Sequence, residues 1–273
     1  MAKFDGKFIR GIVGKAIFRE INGQQIVQGI TQKPKISRSK NTIKASSIFG
    51  DASCLGGYIR RAFDDLTRDD YDSYMSSRFA AEVNYCLRAA AVPNTELFDF
   101  QPTTFNRLIG FEFNTKSKVR DLFFAQPQIS FNQNELLVVI PELNLVEDLT
   151  FPQRIKKCKL ILSHTLLDTT NGFFKETEHA VLNLAYDMNN PIIPSQGVVF
   201  GLQPGCLSVL TIALRYIENT FVGENSINNR NFNPVAILSA HYIGGIPNKS
   251  ETETWHYMKF KNPIGTMLPP PAT

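Results

Sequence analysis

Two short apolar-rich runs, Ala16-Ile17-Phe18-Arg19-Glu20-Ile21 and Gln25-Ile26-Val27-Gln28-Gly29-Ile30, flank the dipeptide Asn22-Gly23. Asn-Gly tolerates the positive φ of a tight two-residue turn, so this pattern predicts a β-hairpin. A hairpin alone is at best marginally stable in water, and this one must dock on its own body or on another subunit. Residues 31–45 show no apolar period and hold Pro34, which disfavours helix just before it; they read as an extended basic linker.

Helical spacing follows. Leu55, Tyr58, Ile59, Ala62, Phe63 and Leu66 recur at steps of three to four, with Gly56-Gly57 lowering helix propensity inside the run while permitting close packing. Thr67 stands three before Asp70, as in a capping box, ahead of a second stripe formed by Tyr71, Met75, Phe79, Val83, Cys86 and Ala90. Pro93 lies just past that stripe.

From about residue 96 the texture changes to short apolar runs separated by Pro, Asn and Gly. Strands are predicted at 108–113, 128–132, 135–140, 158–167, 178–186, 197–201, 207–217 and 234–243, with a helical turn at 117–124. Their spacing suits antiparallel sheets rather than βαβ units. The expected class is therefore α+β: an N-terminal β-hairpin arm and linker (1–45), a short helical segment (46–95) and a C-terminal antiparallel β-sandwich, immunoglobulin-like or related (96–273). The tail Met267 to Thr273 is polyproline-like.

A composition of 43% hydrophobic, 20% charged and 11% aromatic residues in a chain of 273 excludes collagen, coiled coil and wholesale disorder. Charge divides the chain unevenly. Residues 1–45 hold ten Lys/Arg against Asp5 and Glu20, a balance of +8, while the remainder holds 19 against 23 and carries −4. Such a basic arm suits an acidic patch on another copy, nucleic acid or an acidic surface. Lys33, Lys35, Arg38, Lys40 and Lys44 are its candidate contacts, but 31–45 has no aromatic residue for base stacking. Subunit docking, nonspecific nucleic-acid contact and a solvated linker remain the three readings of that segment. No window is apolar enough for a signal peptide or a membrane span, which leads us to expect synthesis in the cytoplasm, with a final place in an extracellular or phage-like assembly compatible with it.

Candidate chemistry is thin. His164, His179 and His241 fall inside predicted strands and His256 in a loop, without ligand spacing. Cys54, Cys86, Cys158 and Cys206 share no CxxC, so no metal and no disulfide framework is expected. Ser163-His164 and Asp168 cannot form a local relay, because adjacent strand residues point to opposite faces. Gly11 to Ala16 lacks the span and the Ser/Thr of a phosphate-binding loop. Asp64-Asp65 and Asp69-Asp70 lack the alternation of a calcium loop, and Asn248-Lys249-Ser250 is a chance-level glycosylation sequon. No catalytic residue and no cofactor is expected.

The stretch from Gly11 to Gln28 (GIVGKAIFREINGQQIVQ), followed by Lys33-Pro34, resembles the N-terminus of a family of uncharacterised bacterial proteins. The resemblance covers residues 6–50. It implies a glycine-spaced hairpin, a Lys/Pro segment, helices and a β-rich, sandwich-like end, with no known activity or catalytic residue, and so makes an enzyme less expected. Ile21-Asn22 stands where that family often carries an aromatic and a basic residue. The reading that follows is a self-associating structural subunit whose arm, through Ile17, Phe18, Ile21, Gly23, Ile26 and Val27, contacts other copies. Its alternatives are a module binding carbohydrate, protein or nucleic acid, and a hydrolase whose residues converge only in three dimensions.

Overall fold

A computed structural model describes residues 2–247, apart from Asn22, 31–38, Asp69, Asn94, Glu96, Gln133, Gln153 and Val222, and again 254–258. The chain divides into two compact units, Met1–Ser46 and Ser47–Thr273.

The first unit is an antiparallel sheet in the order β1 (Lys3–Phe4), β2 (Ile9–Val13), β3 (Ala16–Ile21), β4 (Gln24–Gly29). The hairpin read from Asn22-Gly23 is β3–β4: Ile21 pairs with Gln24, and Gly23 has φ +77°. A second two-residue turn joins Val13 to Ala16 through Gly14 (φ +54°) and Lys15. This turn folds β2 onto the hairpin. The Asp5 carboxylate closes the β1–β2 turn by accepting the Phe8 and Lys7 N–H groups (2.8 and 3.1 Å), and these bonds lower its pKa.

The linker expectation is corrected in part. Residues 40–45 belong to α1 (Lys40–Ala62), which runs through the division between the units, while 31–38 lie outside the described residues. Its start is marked by Ser39, whose Oγ accepts the Thr42 N–H at 3.2 Å. The exposed first turns of α1 carry no apolar stripe, which is why periodicity did not reveal them.

In the second unit α2 (Asp64–Thr67) and α3 (Met75–Ala90) follow. The capping-box expectation at Thr67 and Asp70 fails: Thr67 ends α2, and Arg68 turns the chain at φ +44°. Asp72 serves the start of α3 instead, accepting the Tyr74 N–H through Oδ1 (3.0 Å) and the Arg78 guanidinium through Oδ2 (2.5 Å). The stripe itself is as read, with Met75, Phe79, Val83, Cys86 and Ala90 buried.

The strands are β5 (Gln128–Phe131), β6 (Glu135–Ile140), β7 (Leu143–Asn144), β8 (Lys157–Asp168), β9 (Phe173–Lys175), β10 (Glu178–Ala185), β11 (Ile192–Ile193), β12 (Gln196–Gly201), β13 (Leu207–Thr220), β14 (Gly223–Ser226), β15 (Val235–Tyr242) and β16 (Trp255–Tyr257). β8 and β13 pair at the centre of a seven-stranded antiparallel sheet. β9 and β10 line the far side of β8, β14 and β15 line that of β13, and β16 joins β9. β12, β6 and β5 form a smaller sheet.

Burial shows how these parts pack. Alternate residues of β13 enter two different cores: Leu207, Val209 and Ala213 join Leu55, Ile59, Phe79 and Val83 from α1 and α3, whereas Leu210, Ile212 and Leu214 join Leu136, Val138 and Ile140 from β6. The central sheet thus has helices on one face and the small sheet on the other, giving a β-rich, curled antiparallel body. The helix-facing core begins at Ile48 and the other at Val119, and among the described residues no side chain before Ile48 enters either.

The strand expected at 108–113 is also corrected. Asn106–Leu108 is a 3-10 turn and Gly110 has φ +78°, so the chain stays irregular. It still lies along β15, donating from Gly110 N to Ile237 O (2.8 Å) and from Phe113 N to Val235 O (2.9 Å). The turn expected at 117–124 is the 3-10 turn Val119–Asp121. Among the described residues no helix is long and apolar enough to cross a membrane.

Candidate assembly surface on the N-terminal sheet

Cross-strand partners share a face of a sheet, so the register sorts the arm's side chains. Gly11, Phe18 and Val27 align on one face, joined one step further by Val13 and Ala16. Ile12, Ile17 and Gln28 align on the other, with Ile21 and with Ile26, which stands opposite Arg19. The named candidates therefore divide: Phe18 and Val27 on one face, Ile17, Ile21 and Ile26 on the other, with Gly23 at the turn between their strands. Phe18 and Ile17 are half-buried, while Val27 is 58% and Ile12 50% exposed, and Val13, Ile21 and Ile26 are exposed as well. A sheet of four short strands has apolar side chains on both faces and covers neither by itself.

Its edges differ too. β1 is two residues long and begins with Lys3, a short charged edge of the kind that discourages strand addition. β4 is six residues, Gln24–Gly29, without a single charge or proline, and among the described residues it is paired only with β3. Unpaired backbone groups along such an edge are a template for another strand.

The charges of this unit are only partly neutralised. Arg10 pairs with Asp5 (3.3 Å) and Glu20 (3.4 Å), and Arg19 bonds Gln28. Lys3, Lys7 and Lys15 are exposed and have no ion-pair partner among the described residues. Of the other basic candidates, Lys33, Lys35 and Arg38 lie outside the described residues, Lys40 opens α1, and Lys44 is half-buried on α1.

The histidines sit among neighbours of the body. His164 is buried, with Nε2 2.9 Å from Ser208 Oγ, and burial, aided by the charge of Lys175, pushes its pKa down to about 3. His179 Nδ1 lies 2.7 Å from Ser163 Oγ across the β8–β10 pair, a Ser-His contact that sequence reading missed. Ser163 is fully buried. His241 stacks on Phe131 at 4.1 Å between centroids, and burial lowers its pKa. His256 meets the Phe174 ring at 5.2 Å. Of the acid quartet, Asp64 and Asp65 fall in the first turn of α2, Asp69 lies outside the described residues, as does the sequon at 248–250, and Asp70 follows α2.

None of the four cysteines is in a disulfide. Burial pushes the Cys86 thiol up to about 11 and those of Cys158 and Cys206 up to about 12, so these three are protonated at neutral pH. Among the described residues no three His, Cys, Asp or Glu side chains are grouped to hold a metal. No protein-family model matches the chain, and neither a curated protein nor a solved structure does. The class that stands on the fold alone is a β-rich chain with an N-terminal antiparallel sheet, a short helical segment and a curled antiparallel body.

The turn gives a local test. Gly23 sits at φ +77°, and its N–H donates to Glu20 Oε1 at 2.6 Å. A β-branched side chain in that region costs about 1–3 kcal/mol. Gly23→Val is expected to raise amide exchange of the β3–β4 pairs at least fivefold while leaving exchange in β8 and β13 unchanged. Equal protection of Ile21 in both proteins would show that the turn does not depend on glycine.

Proposed function

We propose that the chain is a non-enzymatic, self-assembling structural subunit, of a filament, sheath or virion-like assembly, whose N-terminal arm makes the contacts between copies. The observation that carries this reading is the arm sheet itself, with apolar residues exposed on both faces and an uncharged open edge along β4. The arm's charge adds support, since a balance of +8 faces a body of −4 in every neighbouring copy. The described residues before Ile48 put no side chain into either core of the body, which suits an arm that serves contacts rather than stability.

The parent is expected to form multi-subunit species by size-exclusion chromatography with light scattering, and regular particles by negative-stain electron microscopy. Removing residues 1–38, which spares the Ser39 cap, or placing a charge on the apolar face with Val27→Asp, is expected to give folded monomers. Assembly by either variant to the parent's size would remove the arm as connector. The parent's assembly rate is further expected to fall as salt rises, because screening sets in over about 8–10 Å near physiological ionic strength. A rate flat from low to high salt would remove electrostatics from the contact.

A further inference from the structure

Resting on the reading that arms join copies, we infer that the acceptor for the arm is the acidic-rimmed apolar patch around β7 on the body of a second copy. Three segments lie side by side there. The Phe124 N–H donates to Asp148 O (2.9 Å), the Leu145 N–H to Pro191 O (2.9 Å), and β7 pairs with β11 through Asn144 and Ile192. These segments leave Phe124, Val146 and Ile192 exposed, and Met188, just before the third, is 76% exposed. Several large apolar side chains gathered within a polar rim mark a surface that meets a partner.

The rim sets the partner's charge. Glu142 and Glu147 bracket β7 and Asp187 precedes Met188; all three are exposed and have no ion-pair partner among the described residues. Tyr186, next to Asp187, donates its N–H to Lys156 O at 2.7 Å, which brings one lysine's backbone beside this rim of three carboxylates. An apolar surface flanked by ammonium groups is the complement, and the arm presents Val13 and Val27 on one face with Lys7 and Lys15 exposed in the turns of the same sheet, while Lys3, opposite Arg10, belongs to the other face. A head-to-tail contact between one copy's arm and another's β7 patch leaves an arm and a patch free at the two ends, which is the geometry of a growing chain or a closed ring.

The test uses complementary full-length variants. Val27→Asp keeps the patch and loses the donor; the triple variant Glu142→Lys, Glu147→Lys, Asp187→Lys keeps the donor and loses the acceptor, and Val146→Asp does so by a single exposed substitution. Each is expected to match the parent's circular dichroism and to be monomeric. An equimolar mixture of Val27→Asp with either acceptor variant is expected to give a one-to-one heterodimer that grows no further, with self-association of each variant weakened at least tenfold. If Val27→Asp assembles like the parent, the reading of the arm fails. Should Val27→Asp be monomeric while both acceptor variants assemble like the parent, the arm stands and the β7 patch is overturned as its acceptor. The patch is overturned equally if all variants are monomeric and the mixtures form no heterodimer.

Discussion

Between pH 6.5 and 4.5 the body is expected to lose about 2 kcal/mol of stability through His164 alone. The unfolded chain takes up a proton near the ordinary imidazole value of 6.5, whereas in the folded state burial holds the ring neutral down to about 3. The unfolded state therefore binds more protons throughout this window. The contribution is fully present above pH 6.5 and falls as pH drops toward 3, at about 1.4 kcal/mol per pH unit. Asp72 acts lower, below 3.8; partial burial would raise its carboxyl, but the bond from Arg78 holds it down. Glu112 works the other way. Burial raises its pKa above 4.5 despite the N–H groups of Val119 and Arg120, so it erodes stability as pH rises. His164→Gln keeps a polar group for Ser208 and removes the titration. Urea melts from pH 7 to 4.5 should show a steep slope for the parent and a flatter one for the variant; parallel slopes would mean that His164 titrates normally in the folded body.

The second large effect is expected at Phe79. Its side chain is fully buried where α3 meets α1 and the segment beside β15, with ring centroids 4.8 Å from Phe111 and 5.9 Å from Phe113. Phe79→Ala should destabilise by about 3–5 kcal/mol, the lost burial and the cavity acting together. For a body of this size that corresponds to a fall of roughly 6–20 °C in Tm. Gly56→Ala is the contrasting change, because a Cβ there would stand 3.5 Å from Phe79 and Val83, an ordinary contact, and alanine favours helix by about 1 kcal/mol. That variant should melt at or above the parent's temperature. A Phe79→Ala protein as stable as the parent would show that the helices do not depend on this packing.

How much of this was legible depended on whether a residue's neighbours in sequence were also its neighbours in space. β8 and β13 were readable as strands because each is buried on both faces and so shows a nearly continuous apolar run. The sequence does not say that helices cover one of those faces, since periodicity reports burial and not what does the burying. LIGFEF at 108–113 looks like a strand, yet Phe111 and Phe113 are both buried in the helix-facing core while the Glu112 carboxylate turns to the Val119 and Arg120 N–H groups. Thr67 and Asp70 met the capping rule locally and lost to Asp72, whose ties to Arg78 and Thr115 span up to 43 residues. On the arm, Asn22-Gly23 announced its turn, whereas Gly14-Lys15 is a poorer signal for the same geometry. The β7 patch left no trace, because the segments that carry Phe124, Val146 and Ile192 are brought side by side by backbone pairing of residues distant in sequence.

That no described side chain before Ile48 enters either core has a bearing on how such a chain can change over generations. Substitutions among those residues remove nothing from either core, so selection for that packing does not act on them. The arm can diverge, acquire a new partner or be exchanged for another at little risk to the rest of the molecule. Its exposed apolar faces and uncharged edge invite aggregation when no partner covers them.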